Sequence, residues 1–377
     1  MADSFRELDN YLRLPFNNLR ELPLGRKKQF PQVKRGVSNL FKGWEKVRIK
    51  TKSGIQEAVA PVIISASRST DIPAFYGDWF IKRWCAGYSK WINPFNQRVQ
   101  YISFAKTRVI VFWTKNPQPF LKYLPVLDQT GVNYYFTFTV NDYEAEGLEP
   151  NLPSLEKRIE TFKRLSEILG YERVIWRFDP LILSTKLNVE RLLEKISRVG
   201  EELYNYTGKL VISFADISVY KKVRCNLAQF IDWREFDIQS MIKIARGLQN
   251  LNKNWGLTIT SCGEEIDLSE YGIYHNRCID DELMIKLFPY DQVLMEFLGN
   301  QEPDGQGNLF PLEGKKMVPK YRQLKDKGQR KACGCIVSKD IGQYNTCMHL
   351  CRYCYANYSE KVVRANYARR TEEESII

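Results

Sequence analysis

A chain of 377 residues with 44% hydrophobic content can bury a large core, in one barrel-sized domain or two smaller ones. Its 56 Lys/Arg against 44 Asp/Glu leave a net charge of +12, a balance that suits a polyanionic partner. Only two histidines, His275 and His349, are present, so a His-rich metal centre or a Ser-His-Asp triad has little to work with.

The first sixty residues carry 13 Lys/Arg against 6 Asp/Glu, or +7 of the +12, and contain Pro15, Pro23 and Pro31. With weak periodicity, they read as a basic N-terminal extension (1–60), either a grip for DNA or RNA or plain solvated surface. From residue 62 a strand–helix rhythm begins. Apolar, β-branched and aromatic runs at 62–67, 108–114, 133–140, 173–178, 210–215 and 256–261 predict strands. Amphipathic segments at 155–169, 188–204 and 238–251 predict helices, the first announced by Pro153 and Ser154. About six alternations over 61–299 imply an α/β fold with a parallel sheet and crossover helices, a (β/α) barrel or a doubly wound sheet.

The strand ends favour the barrel. Polar residues follow each run: Arg68 and Asp71, Lys115 and Asn116, Asn141, Arg177 and Asp179, Asp216, then Glu264. Such groups would converge on one mouth, where barrel enzymes place their chemistry. Some would be ordinary helix caps. Residues 300–330 are rich in Gly, Pro and charge and read as a linker. A second basic run (Lys315, Lys316, Lys320, Arg322, Lys325, Lys327, Arg330, Lys331) leads into a cysteine-rich segment, 331–358, followed by a tail, 359–377.

Five of the nine cysteines fall between 333 and 354, a metal-site pattern and not a disulfide framework. With no signal peptide and no apolar stretch of membrane-spanning length, they imply a reducing cytoplasm and no membrane. Cys347, Cys351 and Cys354 stand at C-x₃-C-x₂-C spacing, with Tyr353 directly before the last. Three thiolates at this spacing can ligate three irons of a 4Fe–4S cube and leave the fourth iron open. Zinc, completed by Cys333, Cys335 or His349, is the alternative. Cys333 and Cys335 with Cys262 and Cys278 make a second set, for an auxiliary 4Fe–4S cluster, a zinc, or simple packing. Cys85 and Cys225 lack such neighbours and read as structural.

The cysteine spacing and its aromatic residue resemble the cluster motif of radical S-adenosylmethionine (SAM) enzymes, where the motif usually comes early in the chain. The runs Ile64–Pro73, Asn93–Asn96, Phe112–Pro117 and the terminal CGC…DIGQYNTCMHLCRYCYAN resemble a family catalogued as a domain of unknown function, over roughly residues 60–358. The run from Cys351 to Asn357, with its immediate flank, is similar to the spore photoproduct lyases, which repair a DNA thymine dimer.

This resemblance implies a 4Fe–4S cluster and SAM as cofactors and an electron donor such as flavodoxin or ferredoxin. It also implies reductive cleavage of SAM to methionine and a 5′-deoxyadenosyl radical that takes a hydrogen from the substrate. Closing a six-stranded barrel would bring a C-terminal cluster loop beside the first strand. Arg68, Asp71, Lys115, Asn116, Arg177, Asp179 and Glu264, with Tyr353, would then surround SAM. Glu264 or Asp71 would hold its amine, and Arg68, Lys115 or Arg177 its carboxylate. Nucleic acid is the leading substrate, for lesion repair or base modification, from the basic ends and from Trp44, Trp84 and Trp91 as stacking surfaces. The alternatives are a peptide or small metabolite, or a zinc-stabilised nucleic-acid-binding protein without catalysis.

Overall fold

A computed structural model describes residues 41–299, 324–370 and 373–377. The basic residues 1–40 and most of the 300–330 linker lie outside the described residues.

The first described elements are β1 (Glu45–Thr51) and β2 (Gly54–Ala60), an antiparallel pair joined by a tight turn. The expected extension therefore contains two strands in its last sixteen residues. Next come β3 (Ile63–Ala66), the short α1 (Ile72–Phe75) and α2 (Gly77–Ala86). Strands β4 (Tyr88–Ile92) and β5 (Val99–Ser103) pair antiparallel, and β2 pairs with β5, giving a small sheet of order β1-β2-β5-β4.

The main sheet continues through β6 (Val109–Thr114), α3 (Leu124–Thr130), β7 (Asn133–Thr139), α4 (Leu155–Leu169) and β8 (Val174–Leu181). After a two-residue β9 (Leu183–Ser184) come α5 (Val189–Leu203), β10 (Lys209–Phe214), α6 (Lys221–Leu227) and β11 (Trp233–Arg234), which pairs with β9. Then follow α7 (Ile238–Trp255), β12 (Thr258–Ser261), β13 (Ile273–His275), α8 (Asp281–Leu287) and α9 (Gln292–Leu298). The last elements are β14 (Lys339–Asp340) and α10 (Glu360–Ala368).

All six predicted strands form, as β3, β6, β7, β8, β10 and β12, and the three predicted helices are α4, α5 and α7. Local signals explain the helix bounds. Ser154, Asn188 and Asp237 cap the first turns by accepting from backbone N–H groups, and Gly256 at φ 65° ends α7. The expectation of about six strands is corrected: among the described residues the main sheet has eight, in the order β13-β12-β10-β8-β7-β6-β3-β14, every pair parallel. The two additional strands are three and two residues long, too short to show alternation.

Both faces of the sheet are covered, as an all-parallel sheet requires. Side chains alternate along each strand. Ile64, Ile110, Phe112, Phe136, Trp176 and Ile212 pack with residues of α2, α4, α5 and α7. Their neighbours Ile63, Val109, Val111, Tyr135, Ile175 and Val211 face a second core built from Cys278, Met284, Leu294, Cys335 and Ile336. That face turns polar toward the strands' C-terminal ends, where Trp113, Lys115, Asn141, Arg177, Asp179 and Cys262 follow the same alternation. The expected tail is also packed: Ile376 is fully buried, and the Glu374 carbonyl accepts from Lys90 N at 2.6 Å.

Candidate metal centre and active site

The cysteine loop reaches the sheet through β14. This edge strand pairs parallel with β3, Lys339 opposite Ile64 and Asp340 opposite Ser65, so residues 341–358 leave it at the C-terminal end of β3. Asp340 fixes the junction, its carboxylate accepting from Ser65 Oγ at 3.0 Å and Arg68 N at 2.8 Å. The approach is tight enough to require glycine next: a Cβ on Gly342 would stand 2.0 Å from Ser67 Oγ. Further on, Tyr76 Oη donates to Thr346 O at 2.7 Å, Asn151 Nδ2 to Met348 O at 2.8 Å, and Arg352 N to Leu148 O at 2.9 Å. The loop thus spans the ends of β3, β6 and β7.

Within it, Cys347, Cys351 and Cys354 are half-buried. Cys354 N donates to Cys351 O at 3.0 Å in a tight turn, and Asn357 Nδ2 to Cys347 O at 2.9 Å. Burial pushes the Cys347 thiol well above its ordinary range, and Cys351 and Cys354 push it further. Burial carries Cys351 up to about 12, against the pull of Lys115, and raises Cys354 as well. The three sulfurs therefore lie within electrostatic reach of one another, in a setting where thiolates need a cation.

Beside them lies a buried polar knot. Lys115 Nζ, just past β6, donates to Glu149 Oε1 at 2.8 Å and contacts Tyr353 Oη at 2.9 Å. Asn141 Nδ2, past β7, donates to the same two oxygens at 3.0 and 3.1 Å, and Tyr353 Oη donates to Glu149. Burial would raise the Glu149 carboxyl, but Lys115 and the fully buried Arg158 outweigh it and hold the group below its ordinary value. Asp71 makes a second knot. It caps α1 by accepting from Ala74 N at 3.0 Å, accepts from Lys115 N at 2.7 Å, and meets His349 Nε2 at 2.8 Å. His349 is buried against Phe75.

The remaining expected residues divide. Arg177 pairs with Asp179 at 2.6 Å, and its guanidinium and that of Arg68 each lie 5.3 Å from the Trp113 ring centre. Glu264 accepts from Phe214 N at 2.9 Å, and burial pushes its carboxyl up to about 7. Asn116 stands apart from both knots; its side-chain oxygen accepts from Gln118 N at 3.4 Å, a local turn contact. The second cysteine set does assemble, with Cys262 Sγ 3.4 Å from Cys278 Sγ and Cys335 Sγ accepting from Cys278 N at 3.2 Å. Among the described residues, no group of three or more His, Cys, Asp or Glu side chains already surrounds a point that could hold a metal ion.

Three functional candidates escaped the sequence: Glu149, Arg158 and the partnership of Asp71 with His349. The tryptophans offered as stacking surfaces are corrected. Trp84 is buried, Trp44 packs between Phe41 and Phe297, and Trp91 donates to Gly342 O at 2.9 Å beneath Lys339. Accessible rings lie elsewhere, in a row running Phe95, Tyr344, Tyr355, Tyr220 beside the cysteine loop. Arg330 flanks Tyr220, and Lys222 lies over Tyr358.

No helix among the described residues is long and apolar enough to cross a membrane. No curated protein matches the chain. Among solved structures, one described as a putative alpha-L-fucosidase from Bacteroides thetaiotaomicron VPI-5482 aligns at 12% identity over 74% of this chain and 90% of that one. Its TM-score of 0.23 carries no argument about fold or activity. Residues 63–356 match the family described as Domain of unknown function (DUF1848), a span running from β3 through the cysteine loop, and the chain belongs to that family.

Proposed function

We propose that this protein is a radical SAM enzyme whose cluster site is Cys347, Cys351 and Cys354, mounted at the mouth of a barrel-like sheet and acting on nucleic acid. The observation that carries the reading is the docking of the C-terminal cysteine loop, through β14, onto the end of β3. The parallel β14–β3 pairing sets the motif beside the C-terminal strand ends despite its late position in the sequence. The donor set fits a 4Fe–4S cluster: three thiols, no fourth cysteine in the loop, and the cation Lys115 beside Cys351. When bound, such a cluster with SAM supplies reductive cleavage to a carbon-centred radical.

The chain's own residues prepare that site. Lys115, held by Glu149 and Asn141, keeps a positive charge beside Cys351, where a thiolate needs one. Tyr353 joins the same knot through Lys115 and Glu149. Asp71 holds His349, and so the first half of the motif, against the β3–α1 turn. Asp179, engaged by Arg177 and Ser213, would hold the Arg177 guanidinium in place, and Glu264, past β12, would receive an ammonium group there. The row from Phe95 to Tyr220, flanked by Arg330, supports a nucleic-acid substrate, because exposed rings stack on bases of any sequence while cations meet phosphates. An electron donor such as flavodoxin or ferredoxin would serve as the reductant.

Anaerobic reconstitution with iron and sulfide tests the reading. Expected are a gain of about four irons that is lost in Cys351→Ala, and 5′-deoxyadenosine from SAM under reduction. Full iron retention in Cys351→Ala, or no 5′-deoxyadenosine from iron-replete protein, would overturn it.

A further inference from the structure

The geometry points to a second metal centre: one tetrahedral zinc ion held by Cys262, Cys278, Cys333 and Cys335, stapling together the two edges of the eight-stranded sheet. It is independent of the radical SAM reading, since none of its ligands belongs to the C-x₃-C-x₂-C motif.

The four cysteines come from three separate places. Cys262 follows β12, Cys278 lies three residues past β13, and Cys333 and Cys335 precede β14. Since β13 and β14 are the opposite edges of the sheet, the fold must bring its two ends together for these side chains to meet. They do meet. Cys262 Sγ lies 3.4 Å from Cys278 Sγ, Cys335 Sγ accepts from Cys278 N at 3.2 Å, and Cys333 stands two residues before Cys335 in the same turn. The backbones run alongside one another, with Gly334 N donating to Asn276 O at 3.4 Å and Ile336 N to Ile279 O at 3.2 Å. Gly334 is needed between the two cysteines, because a Cβ there would stand 2.8 Å from Arg277 Cγ.

Independently, N–H donors converge on the sulfurs. Arg177 Nη1 and Asn276 Nδ2 donate to Cys278 Sγ at 3.0 and 2.8 Å, and Cys278 N and Ile279 N donate to Cys335 Sγ at 3.2 and 3.4 Å. A neutral thiol is a weak acceptor. Two donors on each of two buried sulfurs are the outer shell that metal-bound thiolates use. Arg177 and the nearby Arg68, whose Nη2 is buried without a partner, oppose the double negative charge of a divalent ion on four thiolates. Asp179 engages the rest of the Arg177 guanidinium.

The spacing selects one ion over a cube. With zinc–sulfur bonds of about 2.3 Å, neighbouring sulfurs of a tetrahedron stand about 3.8 Å apart. A cube places its four thiolates on four separate irons, beyond sulfur–sulfur contact. A contact of 3.4 Å belongs with the tetrahedron. Side-chain rotations of Cys333 and Cys335 toward the Cys262–Cys278 pair would complete the coordination.

Metal analysis of full-length protein purified anaerobically from medium holding both iron and zinc tests this. Expected is about one zinc per chain, unchanged in Cys347→Ala/Cys351→Ala/Cys354→Ala, whose iron is gone. Iron in that variant, or no metal in it, would overturn the proposal. Cys278→Ser/Cys335→Ser is expected to lose zinc and keep the first site's iron; zinc retained there would also overturn it. Should that variant fail to fold, the triple alanine variant is titrated with an organomercurial beside a zinc-sensing dye. Release of about one zinc as the thiols react supports the site, and no release refutes it.

Discussion

Lys115 and Tyr353 meet at 2.9 Å although 238 positions separate them in the chain. The contact ties the end of β6 to the cysteine motif, and Glu149 is the anion that both residues address. Removing Lys115 leaves Glu149 buried beside Arg158 with its nearest cation gone. Lys115→Met is expected to cost about 3–5 kcal/mol, the usual penalty for breaking a buried pair from one side. In the double variant with Glu149→Gln, the losses should fall short of their sum by about 1–3 kcal/mol. Chemical denaturation of the four proteins measures this coupling, and strict additivity would count against the knot.

Gly342→Ala tests the docking of the cysteine loop. The added methyl would stand 2.0 Å from Ser67 Oγ and 2.5 Å from Ser67 Cβ, on a buried side chain. Overpacking of this kind costs about 1–3 kcal/mol. Hydrogen exchange in residues 341–358 should rise in this variant, while α4 and α5 keep their protection. Unchanged exchange in the loop would mean that it is held from elsewhere.

Asp71→Ala removes three interactions at once: the cap of α1, the acceptor of Lys115 N and the partner of His349. His349→Ala removes only the last. The expected order is a loss of about 2–4 kcal/mol for Asp71→Ala and a smaller one for His349→Ala. Both should weaken iron retention on anaerobic gel filtration. Equal thermal shifts for the two variants would contradict this division of roles.

Lys339 makes a pH prediction. Burial, partly offset by Asp340, pushes its ammonium down to about 8 from its ordinary 10.5. In the unfolded chain it binds a proton as pH falls through about 10.5, whereas in the folded protein it stays neutral until about 8. Stability from this group is thus full above 10.5, falls as pH drops toward 8, and stays reduced below. Its ring contact with Trp91 favours the cation and moderates the loss. Lys339→Met should remove the rising contribution to stability between pH 8 and 10.5, read as the difference between variant and parent in urea denaturation, and gain about 1 kcal/mol near neutrality. A slope that persists in the variant belongs to another group.

The nucleic-acid reading predicts binding that weakens steeply with salt, because each neutralised phosphate releases counterions. Deletion should stop at residue 40, since residues 45–60 are strands of the small sheet. Residues 1–40 carry eight Lys/Arg against four Asp/Glu, a net of +4. Their removal should flatten the salt slope measured by fluorescence anisotropy on single-stranded DNA or RNA, and Tyr355→Ala should weaken binding without changing it. No binding by the full chain at low salt would discard this substrate class.

How far the sequence determined this protein follows from the range of each signal. Alternation within six to eight residues and caps such as Ser154 and Gly256 are local, so the six main strands and the helices α4, α5 and α7 were legible. The C-x₃-C-x₂-C spacing is local too, so the motif was legible wherever its loop docked. Short strands carry no period, and β13 and β14 exist only because the sheet offers them an edge. The order that sets β14 against β3 was decided by tertiary structure, and with it the placement of Tyr353 on Lys115 and Glu149. Glu149 sits in a stretch with no motif, and only burial beside Lys115 and Arg158 distinguishes it from a surface carboxylate. The four cysteines of the second set could be counted in the sequence. Only the fold could bring Cys262 and Cys278 within 3.4 Å, because that contact depends on where two turns end in space.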